Sequence, residues 1–302
     1  MRGGAVGAPN EPAAAAGTRA ARPGVVRAVN VTILGSGSAG NSTLVESGDV
    51  RLLIDAGFSG RDLERRLAAI EVEPASIDML LVTHDHSDHT RGMGVLARRW
   101  GIPLLLTEPT HRACTKLLDG SERIHTYRAT DALEIGSLRI DPFLTVHDAV
   151  DPIAVTVTET STGEKLGIAT DLGRPTATVR HALRECHLLI LESNHDEILL
   201  RESPYPWSVK TRIASSHGHL SNRASAELAV ELHHDALCAV VLAHLSEHSN
   251  DPGLAHDVVG AALERRRFTG NVWVAGQDAP LPTIRLSTLR AQRLPPQLTL
   301  FQ

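Results

Sequence analysis

Two hydrophobic periods take turns along the chain. VNVTILG (29–35), STLVES (42–47) and VRLLIDAG (50–57) are short apolar or alternating runs bounded by Gly, Ser and Asp, so they read as strands joined by tight turns. At Ser59 the period changes. Leu63, Leu67 and Ile70 fall on one helical face, and Ser59 and Asp62 have capping-box spacing. IDMLLVTH (77–84) then predicts a buried strand, followed by a helix through Met93, Leu96 and Trp100 that Gly101 stops. The alternation continues with predicted strands IPLLLT (102–107), LRIDPFLTVH (138–147), PIAVTVTE (152–159), KLGIATD (165–171), HLLILES (187–193) and CAVVLAH (238–244). Residues 175–186, 222–234 and 253–267 predict helices. The class is α/β, and so many short strands suit a layered sandwich better than a doubly wound sheet.

Gly35-Ser-Gly37-Ser-Ala-Gly40 matches a dinucleotide-binding fingerprint, but Ser42-Thr43-Leu44-Val45-Glu46 follows it. A dinucleotide site needs a helix there, and this segment is strand-like, so a hairpin turn is expected. Asn41-Ser-Thr43 matches a glycosylation acceptor, yet nothing in the chain routes it outside the cell.

The ends differ from the middle. Residues 1–28, rich in Gly, Ala, Pro and Arg, have no apolar period and read as a disordered leader. A single domain is expected over 29–275. A tail over 276–302 is punctuated by Pro280, Pro282, Pro295 and Pro296. The chain has 302 residues and a net charge of −5, and the leader carries four arginines against one glutamate. The remainder is therefore distinctly acidic, which excludes a polycationic nucleic-acid coat and makes any nucleic-acid contact local. No apolar run approaches the ~20 residues of a membrane-spanning helix. Cys114, Cys186 and Cys238 are too scattered for a disulfide framework, and the natural reading is a cytoplasmic protein.

Sixteen histidines are the unusual entry in the composition. Immediately after the strand ending near residue 83 comes His84-Asp85-His86-Ser87-Asp88-His89. On an extended segment His84 and His86 project to one side, and a turn then lets Asp88 and His89 project together. Imidazole nitrogen and carboxylate oxygen suit borderline divalent ions, so the segment can start two metal sites. Other predicted strands end on further donors: His147, Asp171 and His244. His84, His86 and His147 are assigned to one ion and Asp88, His89 and His244 to the other, with Asp171 bridging. Two such ions, Zn2+ or Mn2+, would hold a bridging hydroxide and polarise a phosphoryl or carbonyl oxygen. Asp55 is either an acceptor that fixes a histidine ring from behind or a turn residue.

HDHSDH, with Asp55 before it and His147, Asp171 and His244 after it, resembles the metallo-β-lactamase fold superfamily in order and context. The resemblance implies a single-domain αβ/βα four-layer sandwich of two similar halves, with the metals at one edge. The β-lactamases themselves typically carry cysteine where Asp171 stands. ILGSGSAGNST, TDLG, LLILESNHD, YPWSVKTRI, SHGHLSN and VVLAHLS are similar to one branch, the WalJ/YycJ-like bacterial exonucleases, related to tRNA 3′-processing endonucleases. That likeness implies DNA as substrate, 5′-to-3′ exonuclease action, and a Glu that orients a proton-donating His. Glu192 and His219 stand in the matching positions, and Ser221 and Asn222 follow in the same motif as candidate substrate contacts. His195 and His217 are either substrate contacts or ordinary polar residues, and Lys210 and Arg212 are either phosphate contacts or a solvated face. Ser249 stands where the branch usually has an asparagine.

Asp171 and His244 are 73 positions apart, too few for the inserted domain of the β-CASP nucleases. A glyoxalase II-like thioester hydrolase acting on a small molecule is the alternative, although no helical substrate domain of the needed length follows His244. A non-enzymatic metal regulator would require lost ligands, and all seven are present. Finally, Gln297-Leu298-Thr299-Leu300-Phe301 resembles the bacterial sliding-clamp binding motif. It is either a clamp-binding tail, with Gln297, Leu298, Leu300 and Phe301 as contacts, or a terminal strand.

Overall fold

The structure, a computed structural model, describes residues 27–293. The first half of the chain supplies β1 (Val29–Gly35), β2 (Ser42–Ser47), β3 (Val50–Ile54), β4 (Met79–Leu81), β5 (Leu104–Thr107) and β6 (Ile124–Tyr127). The second half supplies β7 (Leu133–Ile135), β8 (Leu138–Leu144), β9 (Ile153–Glu159), β10 (Lys165–Ala169), β11 (Leu188–Glu192), β12 (Ala239–Ala243) and β13 (Asn271–Val274). A last strand, β14 (Ile284–Arg285), returns to the first sheet. The helices are α1 (Gly60–Ala69), α2 (Ser87–Thr90), α3 (Met93–Trp100), α4 (Glu108–Ala113), α5 (Ala177–Ala182), α6 (Glu197–Glu202), α7 (Trp207–Ile213), α8 (Asn222–Leu232), α9 (Pro252–Glu264) and α10 (Leu286–Arg293).

Two seven-stranded sheets result, ordered β14-β1-β2-β3-β4-β5-β6 and β13-β12-β11-β10-β9-β8-β7. Each begins as an antiparallel meander and turns parallel, at β3/β4 in the first and at β10/β11 in the second. The two halves are thus alike in plan. Alternate residues of the strands face inward: Val31 and Ile33 of β1 and Val155 and Val157 of β9 share one buried cluster between the sheets. The opposite faces are covered by helices. Leu63 and Leu67 of α1 and Met93 and Leu96 of α3 pack on the first sheet, and Leu228, Val259 and Leu263 of α8 and α9 pack on the second. The order helix, sheet, sheet, helix is the expected four-layer sandwich.

Local signals work as read. Ser59 caps α1 by accepting from the Asp62 N–H at 3.2 Å, and Gly101 ends α3 in the left-handed region at φ 67°. The Gly35–Gly40 segment is the turn of the antiparallel β1–β2 hairpin, with no helix following it. Part of the 276–302 segment is folded onto the domain. β14 pairs Ile284 with Val31, and Ile284 and Leu286 join the core between the sheets, so the fold runs through Arg293. Pairing there satisfies β1's free edge, which a Pro-containing tail leaves open. The leader and the QLTLF segment lie outside the described residues. No helix among the described residues is long and apolar enough to cross a membrane.

Candidate metal and active site

The parallel strands of both sheets end on the same side, and the chain turns sharply as it leaves them. Asp55 after β3, Asp171 after β10 and His244 after β12 all have positive φ, at 62°, 58° and 56°. Three site residues in this sparsely populated region, each following a strand, re-aim their side chains across the strand ends. After β4 the chain bends at Asp85, His86 is extended, and α2 then turns at once, bringing Asp88 and His89 round to the site, where the His89 ring lies 4.1 Å from that of His84.

The six metal-directed groups and Asp171 converge. Ligand atoms of His84, His86 and His147 lie within 4.8 Å of one another, and so do those of Asp88, His89 and His244. Asp171 sits between the groups. Its carboxylate oxygens are 3.2 Å from His89 Nε2, 3.6 Å from His147 Nε2 and 3.6 Å from His244 Nε2.

Hydrogen bonds at the backs of the rings decide which nitrogens face the cleft. His147 Nδ1 donates to the Gly218 carbonyl at 3.0 Å, His89 Nδ1 meets Asp55 Oδ2 at 2.7 Å, and His244 Nδ1 meets Glu192 Oε1 at 3.2 Å. Thr83 Oγ1 donates to Asp55 and so accepts from His84 Nδ1 at 3.0 Å. Each bond places the proton on Nδ1 and leaves the Nε2 lone pair for a ligand. Asp55 therefore lies behind two rings, one directly and one through Thr83, and its own Oδ1 accepts the Thr83 N–H at 2.8 Å.

The electrostatics favour a bound cation. Burial pushes the Asp171 carboxyl up, yet the adjoining His244 and His89 hold it well below the usual range. Asp88 is held low in the same way by His244 and His89, against its own burial. His84 is pushed well below ordinary histidine by burial and then by His89. Ionised carboxylates inside a protein require a compensating charge; here the carboxylates raise His89 and His244 against their burial, so protons on these rings supply it where no metal ion does. His84 Nε2 is buried and makes no hydrogen bond, and the buried Asp171 Oδ2 has only its 3.2 Å ion pair with His89 Nε2. Orphaned polar atoms are costly unless something coordinates them, and the nitrogen and oxygen donors assembled here fit divalent ions.

Glu192 is fully buried at the end of β11, with Oε2 accepting the backbone N–H groups of Leu172 and Leu220, both at 2.9 Å. Burial acts to raise its pKa, but His219 and then the hydrogen bond from His244 bring it down to about 2. Glu192 Oε1 holds His219 Nδ1 at 2.7 Å, and the half-buried His219 ring lines a cavity of about 150 Å3 together with His86, Asp88, Asp171 and His244. Arg212 lines the same cavity and pairs with Asp148.

Other sequence-predicted contacts are occupied elsewhere. Ser221 caps α8 and donates to Glu197 at 3.1 Å, and the buried Asn222 bridges Ser193 and Asn250. His195 is only 3% exposed. Ser221 and Asn222 thus have partners within the protein, as buried polar groups must, whereas His195 Nδ1 is buried without a hydrogen bond. Lys210 Nζ donates to the Arg201 carbonyl at 2.6 Å, and the exposed His217 lies outside the cavity lining. Ser249 is buried against Ser246.

The sequence reading missed Asn41, Thr83, Asn194 and Tyr205. Asn41 is buried rather than a surface acceptor. Its N–H donates to the Asp88 carbonyl at 2.8 Å, and its amide nitrogen lies 3.2 Å from His89 Nε2. Asn194 and Tyr205 line the cavity. The only signal for Asn41 was its place beside the Gly-rich turn.

Comparisons with known proteins agree with this geometry. Residues 50–244 match the Beta-lactamase superfamily domain. The chain is 33% identical over 259 residues to exodeoxyribonuclease YycJ of Bacillus anthracis, covering 84% of this chain and 97% of that one. It is 36% identical over 230 residues to exodeoxyribonuclease WalJ of Streptococcus pneumoniae, covering 74% and 84%. Among solved structures it is similar to the metallo-beta-lactamase fold protein YhfI of Bacillus subtilis, with TM-score 0.64 and 20% identity over 84% of this chain and 99% of the other. The chain therefore belongs to the metallo-β-lactamase superfamily of hydrolases, in the branch of the WalJ and YycJ exodeoxyribonucleases.

Proposed function

We propose that the protein is a dinuclear metal-dependent phosphodiesterase acting as a DNA exonuclease. One observation carries the reading: the Glu192–His219 pair faces the same cavity as Asp171 and the two histidine groups. A lone metal cluster would serve many hydrolyses. A carboxylate-held histidine beside it adds a proton for an alkoxide leaving phosphorus. The exodeoxyribonuclease relatives support DNA as substrate.

In this reading His84, His86 and His147 would hold one ion and Asp88, His89 and His244 the other, with Asp171 placed between the two groups. When bound, zinc or manganese ions supply Lewis acidity toward a phosphoryl oxygen and a more acidic water. The chain does the rest. Asp55 and Thr83 fix the rings of His89 and His84, and Arg212 offers its guanidinium to a phosphate. Glu192 keeps a proton on His219 Nδ1 and stabilises the imidazolium, so that Nε2 protonates the leaving oxygen. Cytoplasmic location and the clamp-binding role of Gln297, Leu298, Leu300 and Phe301 belong to the same proposal. Three buried, unpaired cysteines fit a reducing compartment.

The test is metal analysis of the purified protein, paired with digests of 5′- and 3′-labelled single- and double-stranded DNA, RNA and a glutathione thioester. Asp171→Ala should lose bound metal, and His219→Ala should keep it while kcat falls by roughly 10²–10⁴-fold. Equal loss of metal in both variants removes the assigned role of His219. Cleavage of the thioester alone overturns the phosphodiesterase reading in favour of the glyoxalase II-like one.

A further inference from the structure

Trp207 is the most exposed large apolar side chain among the described residues, at 76%. It opens α7, in a protein whose acidic surface does not call for an aromatic there. Tyr205, two residues earlier, lines the catalytic cavity, and Arg212 in the last turn of α7 lines it too. Two residues span at most about 7 Å of chain, so the indole stands on the rim of the cleft rather than remote from it.

The local charge is also unlike the rest of the molecule. Residues 203–226 contain Lys210, Arg212 and Arg223 and no Asp or Glu, in a chain of net charge −5, although Arg212 pairs with Asp148 and Arg223 with Glu197 and Glu227. The ridge is braced: Lys210 Nζ holds the Arg201 carbonyl of α6, and the Tyr205 ring sits edge-on to His248 at 5.4 Å. An exposed indole, a tyrosine at the cavity wall and cationic side chains on one braced ridge match the chemistry that grips single-stranded nucleic acid. Bases stack on aromatic faces while cations follow the backbone. Inside a duplex each base is stacked between its neighbours, so only the terminal pair offers a free face to such a ridge.

We infer that Trp207 is a stacking platform for an unpaired nucleobase flanking the scissile phosphate, which makes the single strand the preferred form of substrate. This rests on the phosphodiesterase reading and assigns the geometry of its substrate. The indole binds and positions; it takes no part in bond breaking.

The experiment compares wild type, Trp207→Ala and Trp207→Phe on an end-labelled single-stranded oligonucleotide and on the same sequence as a blunt duplex. Trp207→Ala should raise KM for the single strand roughly tenfold with kcat within about twofold, and Trp207→Phe should recover much of the loss, because a base stack is worth about 1–3 kcal/mol. The duplex KM should change far less. Binding is read separately by quenching of tryptophan fluorescence as oligothymidylate is added to His219→Ala protein. The quench should vanish when Trp207→Phe is added to that background. An unchanged single-strand KM, or a quench that survives Trp207→Phe, overturns the platform. Wild-type turnover of a small chromogenic phosphodiester checks the underlying reading on its own. If that substrate and the oligonucleotide are both left intact, phosphodiesterase activity fails. If both are cut and Trp207 is silent, only the platform fails.

Discussion

His187 shows how a histidine outside the cleft ties stability to pH. Its Nδ1 accepts the Lys165 N–H at 3.1 Å, its own N–H donates to the Lys165 carbonyl, and its carbonyl accepts the Cys238 N–H, so it joins the starts of three strands. Burial, then the nearby Arg290 and His234, push its pKa down to about 4. The folded value lies below the unfolded one, so the folded state prefers the neutral ring. Its contribution is fully present above pH ~6.5, shrinks as pH falls toward 4, and changes no further below that. The half-buried ring is partly screened by solvent, which leaves about 1 kcal/mol. Urea midpoints at pH 7.5 and 4.5 should show wild type losing about that much more stability than His187→Gln. Equal losses would mean that the ring does not titrate this way. The cleft uses histidine differently: fixed Nδ1 protons, and Nε2 lone pairs turned inward.

Among elements, the strands absent from the sequence reading are β6, β7, β13 and β14, and these are the four sheet edges. An edge strand has one exposed flank and is short, so its residues need not form an apolar run. The IHTY of β6 is half open to solvent. Central strands such as β11 and β12 are buried throughout and declare themselves as LLILE and AVVLA. The β1–β2 turn has a further task that its fingerprint-like glycines conceal. Ser36 Oγ accepts the His244 N–H at 2.8 Å, and Asn41 anchors the Asp88 backbone, so the loop clamps both sides of the cleft. The segment after β3 packs just as closely. A Cβ on Gly57 would lie 1.6 Å from the Asp88 carbonyl oxygen, so Gly57→Ala must displace α2. Moving Asp88 and His89 by about an ångström should lower kcat/KM about a hundredfold and reduce bound metal. Metal content measured by mass spectrometry decides it, and a wild-type metal load in Gly57→Ala would show that the contact is not required.

For the molecule as a whole, the C-terminal boundary of the core matters most. Truncation after Arg293 leaves β14, Ile284 and Leu286 in place, so folding and nuclease activity should match the full chain, while the proposed clamp-binding role of the tail predicts loss of any clamp binding. Truncation after residue 275 removes the β1 edge pairing and two buried side chains, each worth roughly 1.5–3 kcal/mol. Its melting temperature should fall by at least several degrees. Equal stability of the two truncations would restore the shorter domain, and undiminished clamp binding after truncation at Arg293 would remove the tail from that role.

The amino-acid order alone reveals the alternation of strand and helix, the caps at Ser59 and Gly101, and the candidate ligands, because each depends on neighbours within a few residues or on a donor placed at a strand end. His84 through His89 are legible for that reason: spacing on an extended segment and one turn is local geometry. The arrangement across the cleft is another matter. That Asp55 stands behind His89 and Asn41 braces Asp88 depends on long-range packing within the first half, and that Ser221 and Asn222 bond to Glu197, Ser193 and Asn250 depends on packing within the second. Contacts between residues as far apart as Ser36 and His244 come from burying both sheets against each other, a cooperative outcome with no local sequence period.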